Sequence, residues 1–401
     1  MNPRRILRLA CCAWLSLLVG VTILTFAPRA SAYPWMIRHG YTGCMPCHTD
    51  PSGAGPLTPY GRAQGELLLA ARYGAPSDEA SRTAGFLWGE VQPPEELRLG
   101  GDLREAWLDA RADRGPGMRR FLTMRADLYA DVKIGRLRAE GSIGYAPRGA
   151  FGAALSSSPT DNVVSRDHWL GVELDDDGAW LLRAGRIALP FGVRSVEHTL
   201  WVRALTRTDG NDAQLHGIAL SFARGPVRGE VMGIAGNLQL HPDDFRERGY
   251  SAFVEVALAP NAAVGASSLF TRARRDVNAR VTSYRQAHGV FARYSPVPSL
   301  VFLVEADLHY QSLTWNGHRG GYAAFLQGDW EPRQGLHLVL TGEAKNGGSA
   351  GEPPSFGGWA SAVWFFLPHF DVRVDEVVQR LGGASQDTTT YSLLAQLHAY
   401  L

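Results

Sequence analysis

Residues 122–134 read Leu122-Thr123-Met124-Arg125-Ala126-Asp127-Leu128-Tyr129-Ala130-Asp131-Val132-Lys133-Ile134. Even positions are apolar and odd positions are almost all polar, so the period is two and the segment is a strand with one apolar and one polar face. The pattern returns at Tyr250, Ala252, Val254, Val256 and Leu258, against Ser251 and Glu255. It returns at Leu300, Phe302, Val304, Ala306, Leu308 and Tyr310, against Glu305, Asp307 and His309. The chain closes on Tyr391, Leu393, Ala395, Leu397, Ala399 and Leu401, with Ser392, Gln396 and His398 on the other face.

From Leu97 onward there are about sixteen such segments of about ten residues each, the length that a tilted membrane strand needs. Short connections fall at Gly135, Asp175–Gly178, Arg224–Pro226, Ala259–Asn261, Ser295–Pro298, Glu331–Gly335 and Leu367–Pro368. Longer polar stretches lie between them, near 111–117, 148–165, 190–211, 237–248, 273–283, 312–318, 346–356 and 381–387. A soluble sandwich or propeller also alternates, but with shorter strands and without this strict short–long order. The expected fold is all-β, an antiparallel transmembrane β-barrel of about 16 strands over 96–401, with an even strand number and both termini on the periplasmic side. Trp107, Trp169, Trp180, Trp330, Trp359, Trp364, Phe365 and Phe366, near strand ends, suit interfacial girdles. The faces carrying Glu173, Glu230, Glu255, Glu305, Asp307, Asp329, Glu343, Asp371 and Asp375 are expected to point into the lumen. They read either as a hydrated pore lining or as a wall that contacts the N-terminal module or draws in cations.

The remaining bulk properties agree. The chain has 401 residues, 45% of them apolar and 20% charged, which excludes a disordered chain, and the net charge of +1 gives no reason to expect nucleic acid. Arg4, Arg5 and Arg8 precede an apolar run from Leu9 to Phe26, and Ala30-Ser31-Ala32 supplies a small-x-small cleavage site. Residues 1–32 therefore read as an export signal, with the mature chain starting at Tyr33; the competing reading is an uncleaved anchor. Cys11 and Cys12 leave with the signal, so the mature chain keeps Cys44 and Cys47.

Those two stand in Cys44-Met45-Pro46-Cys47-His48. A thioredoxin-like pair needs a helix opening at the first cysteine, and Gly40, Gly43, Pro46, Pro51, Gly53 and Gly55 forbid it. A zinc site needs a second cysteine pair. The motif fits one covalent haem c: both sulfurs form thioethers and His48 is an axial iron ligand. Met36 and His39 are candidates for the distal ligand; a histidine from elsewhere or an open position remain alternatives. Thr58-Pro59 reads as a helix N-cap with proline at the first position, and Tyr60 to Tyr73 as a short helix stopped by Gly74. Its Leu67, Leu68, Ala70 and Ala71 are placed to cover a haem, and 76–94 reads as a linker. Residues 33–95 thus form a monohaem cytochrome c module, mostly irregular and helical, with its linker. At about forty residues before the linker, it is too small to bury a haem unaided, so it needs a wall from elsewhere.

Tyr33-Pro34-Trp35-Met36-Ile37-Arg38-His39-Gly40, the haem motif, and Pro56-Leu57-Thr58-Pro59-Tyr60-Gly61-Arg62 resemble the fused outer-membrane monohaem cytochrome–porins of iron-oxidising bacteria. Pro34, Arg38 and the motif agree with that family, while Met36 and Ile37 replace its usual Phe-Ala. Gly185-Arg186-Ile187-Ala188-Leu189-Pro190-Phe191-Gly192 resembles a strand-end motif common in porins. The resemblance implies an outer-membrane electron-transfer protein with iron-oxidising activity rather than a hydrolase or transferase. Its module would sit in or at the mouth of the barrel. Its partners would be an extracellular electron donor such as ferrous iron, a periplasmic carrier such as a soluble cytochrome, and outer-membrane lipid. A porin plugged or gated by its haem module, and a haem peroxidase or sensor, are the rival readings.

Overall fold

The computed structural model describes residues 33–73 and 85–401, apart from 196, 198, 211–212, 241–246, 278, 315–316, 349–351 and 384–385. The export signal read at 1–32 and the stretch 76–84 of the linker lie outside the described residues. The first eight strands are β1 (Leu97–Ala112), β2 (Met118–Ile134), β3 (Leu137–Pro147), β4 (Asp161–Val164), β5 (His168–Glu173), β6 (Trp180–Ile187), β7 (Leu215–Arg224) and β8 (Val227–Gly236). There follow β9 (Glu247–Ala259), β10 (Ala262–Ala273), β11 (Ser283–Val297), β12 (Leu300–Leu313) and β13 (Gly317–Arg333). The last four are β14 (Leu336–Asn346), β15 (Ser355–Leu367), β16 (Phe370–Leu381) and β17 (Thr388–Tyr400).

Apart from β4 and β5, each strand pairs antiparallel with its sequence neighbours, and β1 closes the sheet against β17 from Asp102↔Tyr400 to Ala112↔Thr390. β4 and β5 occupy one barrel position. Both pair with β3, β4 at Gly144–Pro147 and β5 at Leu137–Gly141, with Ser165–Asp167 interrupting them. The barrel is therefore a closed one of sixteen strand positions. The short–long rhythm of connections is observed as expected, and β1 starts and β17 ends at the short-turn rim.

The burial pattern is inverted relative to a soluble protein. Leu170 and Leu340 are each 69% exposed and Leu308 is 68% exposed on the outer face, whereas Asp131, Arg183 and Glu305 are 0% exposed. An apolar exterior of this extent is stable only against lipid. All nine carboxylates expected to face the lumen are buried there. The girdle assignment needs correction at three positions. Trp169, Trp359 and Phe365 are buried inside, because the pleat sends them to the same face as the lumen carboxylates. The Nε1–H of Trp169 donates to Asp50 at 3.0 Å and that of Trp359 to Glu343 at 2.9 Å. Trp107, Trp330 and Trp364 do face outward.

Two segments fill the lumen. The first is residues 33–73, held at the short-turn half. Arg38 pairs with Asp329 (3.0 Å) and Glu331 (2.6 Å) beside the turn between β13 and β14. Arg293 on β11 donates to the carbonyls of Pro34 (3.2 Å) and Thr42 (2.6 Å), and Gln334 donates to those of Leu67 and Ala70, both at 2.9 Å. The second is the long β6–β7 connection, which turns inward. There the N–H of Gly192 donates to Ser267 Oγ and that of Val193 to Glu305, both at 2.8 Å. A short helix in it (Trp201–Thr206) hangs its first N–H on Glu343 at 2.9 Å.

The helix read as Tyr60 to Tyr73 ends earlier. An α-helix runs over Pro59–Gln64 with Thr58 as its N-cap, widens over Gly65–Leu69 and stops. Ala70 is extended, and the N–H of Ala71 goes to the carbonyl of Phe365 at 2.8 Å. The wall of the barrel captures the backbone before Gly74 is reached.

Candidate functional site

The Cys44–His48 motif forms one tight turn, in which the N–H groups of Cys47 and His48 both point at the Cys44 carbonyl, at 3.1 and 3.0 Å. Thr58 braces it from outside. Its N–H donates to the Cys47 carbonyl (2.8 Å) and its hydroxyl to the Pro46 carbonyl (2.7 Å), while its Oγ1 accepts from Gly61 N–H (3.0 Å). Pro59 at the first helical position keeps that cap in place. The helix can lie this close because residue 61 is glycine: a Cβ there would run into the Cys47 carbonyl oxygen. We expect Gly61→Val to force the turn and the helix apart and to abolish covalent loading in a c-type maturation host, read as haem stain on a denaturing gel. Gly65→Ala, where a Cβ meets nothing within 4 Å, serves as the tolerated control.

Beyond the turn, Thr49 and Asp50 fasten the motif to the barrel. Thr49 Oγ1 donates to Glu140 at 2.6 Å, and Arg138 donates to the Thr49 carbonyl at 2.8 Å. Asp50, 0% exposed, accepts from Trp169 and forms a buried ion pair with Arg183, which also pairs with Glu230.

Cys44 and Cys47 are both buried. Burial penalises the imidazolium of His48 and pushes its pKa down to about 4, with the nearby carbonyls of Ala54 and Gly55 and the charge of Asp50 offsetting only part of this. The ring is neutral at physiological pH, the form that binds a metal. Its Nδ1 meets no partner at hydrogen-bonding geometry among the described residues.

Cys47 and His48 line a cavity between the N-terminal segment and the inward loop. On the segment's side it is lined by apolar and small residues, including Met36, Leu57, Gly61, Gly65 and Leu69. The inward loop and the wall contribute Arg104, Arg125, Arg194, Ser195, Arg203 and Gln214. Of the two distal candidates, Met36 lines this cavity and His39 does not. His39 faces the charges of Glu331, Arg38 and His337, and burial holds its pKa below the ordinary value. His398 of β17 also borders the cavity. An apolar, glycine-rich half carrying Cys47 and a neutral histidine, set against a half with four arginines and one aspartate, Asp102, fits haem c, whose macrocycle is apolar and whose carboxylates are anionic. The reading from sequence did not find Asp50, Arg183, Arg194 or the inward loop. The signal for the first was an aspartate two residues after the motif histidine, with no partner nearby in sequence.

No protein-family profile matches the chain, and neither does any characterised relative. Solved structures do. Outer-membrane-expressed OmpT of Vibrio cholerae superposes with a TM-score of 0.57 at 11% identity, over 78% of this chain and 100% of that one. The anion-selective porin from Comamonas acidovorans gives 0.57 at 10% identity, over 76% and 99%. The outer membrane channel DcaP of Acinetobacter baumannii gives 0.56 at 12% identity, over 76% and 97%. At these identities the likeness is one of fold: the chain has a porin-type outer-membrane barrel.

Proposed function

We propose that this protein carries electrons across the outer membrane, between an extracellular donor such as ferrous iron and a periplasmic carrier such as a soluble cytochrome, by way of one covalent haem c inside its barrel. One observation carries the reading: the Cys44–His48 turn lies within the lumen, and Cys47 and His48 open onto a cavity between the N-terminal segment and the inward loop. A hydrocarbon core of about 30 Å is too thick for a centre at one surface to serve both sides. A site held partway through the barrel shortens the distance to each.

In this reading Cys44 and Cys47 would tether the haem, and His48 together with Met36, which lines the same cavity, would be the side chains that hold its iron. Haem c in that setting supplies a one-electron iron couple. The chain's own residues do the rest. Burial keeps His48 neutral, Leu57 and Leu69 exclude water from the apolar half, and Thr58 with Gly61 fixes the turn. Asp50, Thr49 and Arg38 anchor the segment so that the site does not move relative to the barrel. With its short-turn rim toward the periplasm, the N-terminal segment faces a soluble carrier and the long loops face the donor.

The deciding experiment is a difference spectrum of intact cells, before and after adding a ferrous chelate that does not cross the membrane. We expect a reduced c-type α-band to grow. A band that appears only with a membrane-permeant reductant overturns the conduit and leaves a barrel plugged by its haem module.

A further inference from the structure

Arg248 on β9 and Arg272 on β10 stand directly opposite each other, and Arg272 is also in register with Tyr284 on β11. The pleat sends all three outward. Thr271 and Ala273, on either side of Arg272, are each 1% exposed and face the lumen, while both arginines are exposed. The Arg272 guanidinium lies over the Tyr284 ring at 5.4 Å. Like charges directly opposite on one face of an antiparallel pair destabilise it. Among the described residues no carboxylate pairs with either arginine. Glu247 and Asp276, close in sequence, are taken by Arg207 and Arg285 instead. Elsewhere at this rim the chain supplies the counter-charge itself. Arg111 and Arg119 meet Asp109 at 3.0 and 2.9 Å, and Arg380 meets Asp387 at 2.6 Å.

The pair lies at the edge of the lipid-facing band. Two residues toward the short-turn side, Tyr250 stands opposite Phe270, and Phe270 opposite Gln286, which is itself opposite Tyr310. Beyond this aromatic row the outer face is apolar, with Val254, Val264, Val290 and Leu308 all exposed. Tyr284 and Tyr294 face outward near the two ends of β11. The strand between them covers about 33 Å, or about 25 Å of height at a tilt of about 40°, which is the height of the apolar band of an outer-membrane barrel. Arg248 and Arg272 therefore sit where lipid headgroups begin. We propose that they form a phosphate-binding site for the headgroup of a phosphorylated lipid in the leaflet on the long-loop side. Two guanidinium forks set opposite each other share one phosphate, whose oxygens accept from both and whose charge cancels the repulsion of the bare pair. The site is on the outer face of the barrel and does not depend on the haem reading.

The test is a titration of the full-length protein, purified in an uncharged maltoside detergent, with phosphatidic acid in mixed micelles, read by native mass spectrometry. Inorganic phosphate is titrated in parallel. We expect Arg248→Gln and Arg272→Gln each to weaken phosphatidic acid binding about fivefold, and the double variant about twenty-five-fold. Arg111→Gln, which removes a charge already matched by Asp109, leaves binding unchanged. Thermal stability should invert in sign. Without lipid, Arg272→Gln is at least as stable as the wild type, because the repulsion is gone; with phosphatidic acid, the wild type is the more stable. Unchanged lipid binding in the double variant overturns the site. Equal affinity for inorganic phosphate, with the same dependence on the arginines, overturns the lipid assignment in favour of a free-anion site. An oligomer in lipid-free detergent that the double variant dissolves overturns it in favour of a second copy of the chain. Heat-modifiable migration reports whether each variant has closed as a barrel, and if the double variant has not, the two single variants decide.

Discussion

We expect a Cys44→Ser, Cys47→Ser chain to lose all of the proposed covalent haem and still insert as a barrel. On the proposed reading the thioether bonds would be formed by these two sulfurs, the only cysteines after the expected export signal, so the loss would be complete rather than graded. Folding survives because the segment does not depend on the thiols for its seat. Arg38 stays bound to Asp329 and Glu331, Asp50 to Arg183, and Ala71 to the backbone of Phe365. Two buried hydroxyls in place of sulfurs cost about 1–3 kcal/mol each where they find no partner, which is small against those anchors. The measurement is haem stain and pyridine haemochrome after denaturation, beside heat-modifiable migration as the sign of a closed barrel. A stained band in the double variant contradicts thioether attachment at these positions. Failure to form the barrel shows that the motif is a folding element, and the loss of haem then says nothing about its site.

Much of the barrel was legible because its pattern is local. A strand with lipid on one side and lumen on the other must alternate, and Leu128, Leu170 and Leu308 lie outside while Asp127, Trp169 and Asp307 lie inside. The same rule, applied residue by residue, would have placed Trp169 and Trp359 in the lumen; reading them as girdle aromatics gave weight to residue type over position. The turns were legible for a similar reason, since Gly, Pro and Asn cluster where the chain reverses. Other features were set at long range. The break at Ser165–Asp167 that splits one strand position follows from how β3 is shared. The inward path of the β6–β7 connection depends on Ser267, Glu305 and Glu343, far away in sequence. The end of the helix at Leu69 is decided by the carbonyl of Phe365. At the site, Cys44, Cys47 and His48 were visible as one contiguous motif. The groups that hold the motif were not, because Asp50 and Arg183 are 133 positions apart and only the closed barrel brings them together.

That pair supplies the second large effect. Asp50→Ala should unseat the N-terminal segment from the barrel, because Asp50 and Arg183 are both 0% exposed and removing one partner of a buried pair costs about 3–5 kcal/mol. Glu230 remains beside Arg183 and takes up part of that charge, so the low end applies, about 3 kcal/mol, or about a hundredfold in the seating equilibrium. The pH dependence has a definite sign. Burial alone raises the Asp50 pKa, but the Arg183 charge and the Ser52 hydrogen bonds outweigh it and hold the carboxyl below its ordinary value of 3.8. A depressed native pKa means that the stabilisation is fully present above the ordinary value and fades as the pH falls below it. In planar bilayers at neutral pH, we expect wild-type channels to stay nearly closed and Asp50→Ala channels to open often, since an emptied sixteen-strand barrel encloses water. Wild-type channels should begin to open as the pH drops below about 4, the ordinary range of a carboxylate, while the alanine variant shows a weaker response over that range. Equal conductance for the two proteins at neutral pH, with equal protease protection of residues 33–73, would mean that the remaining contacts hold the segment without this pair.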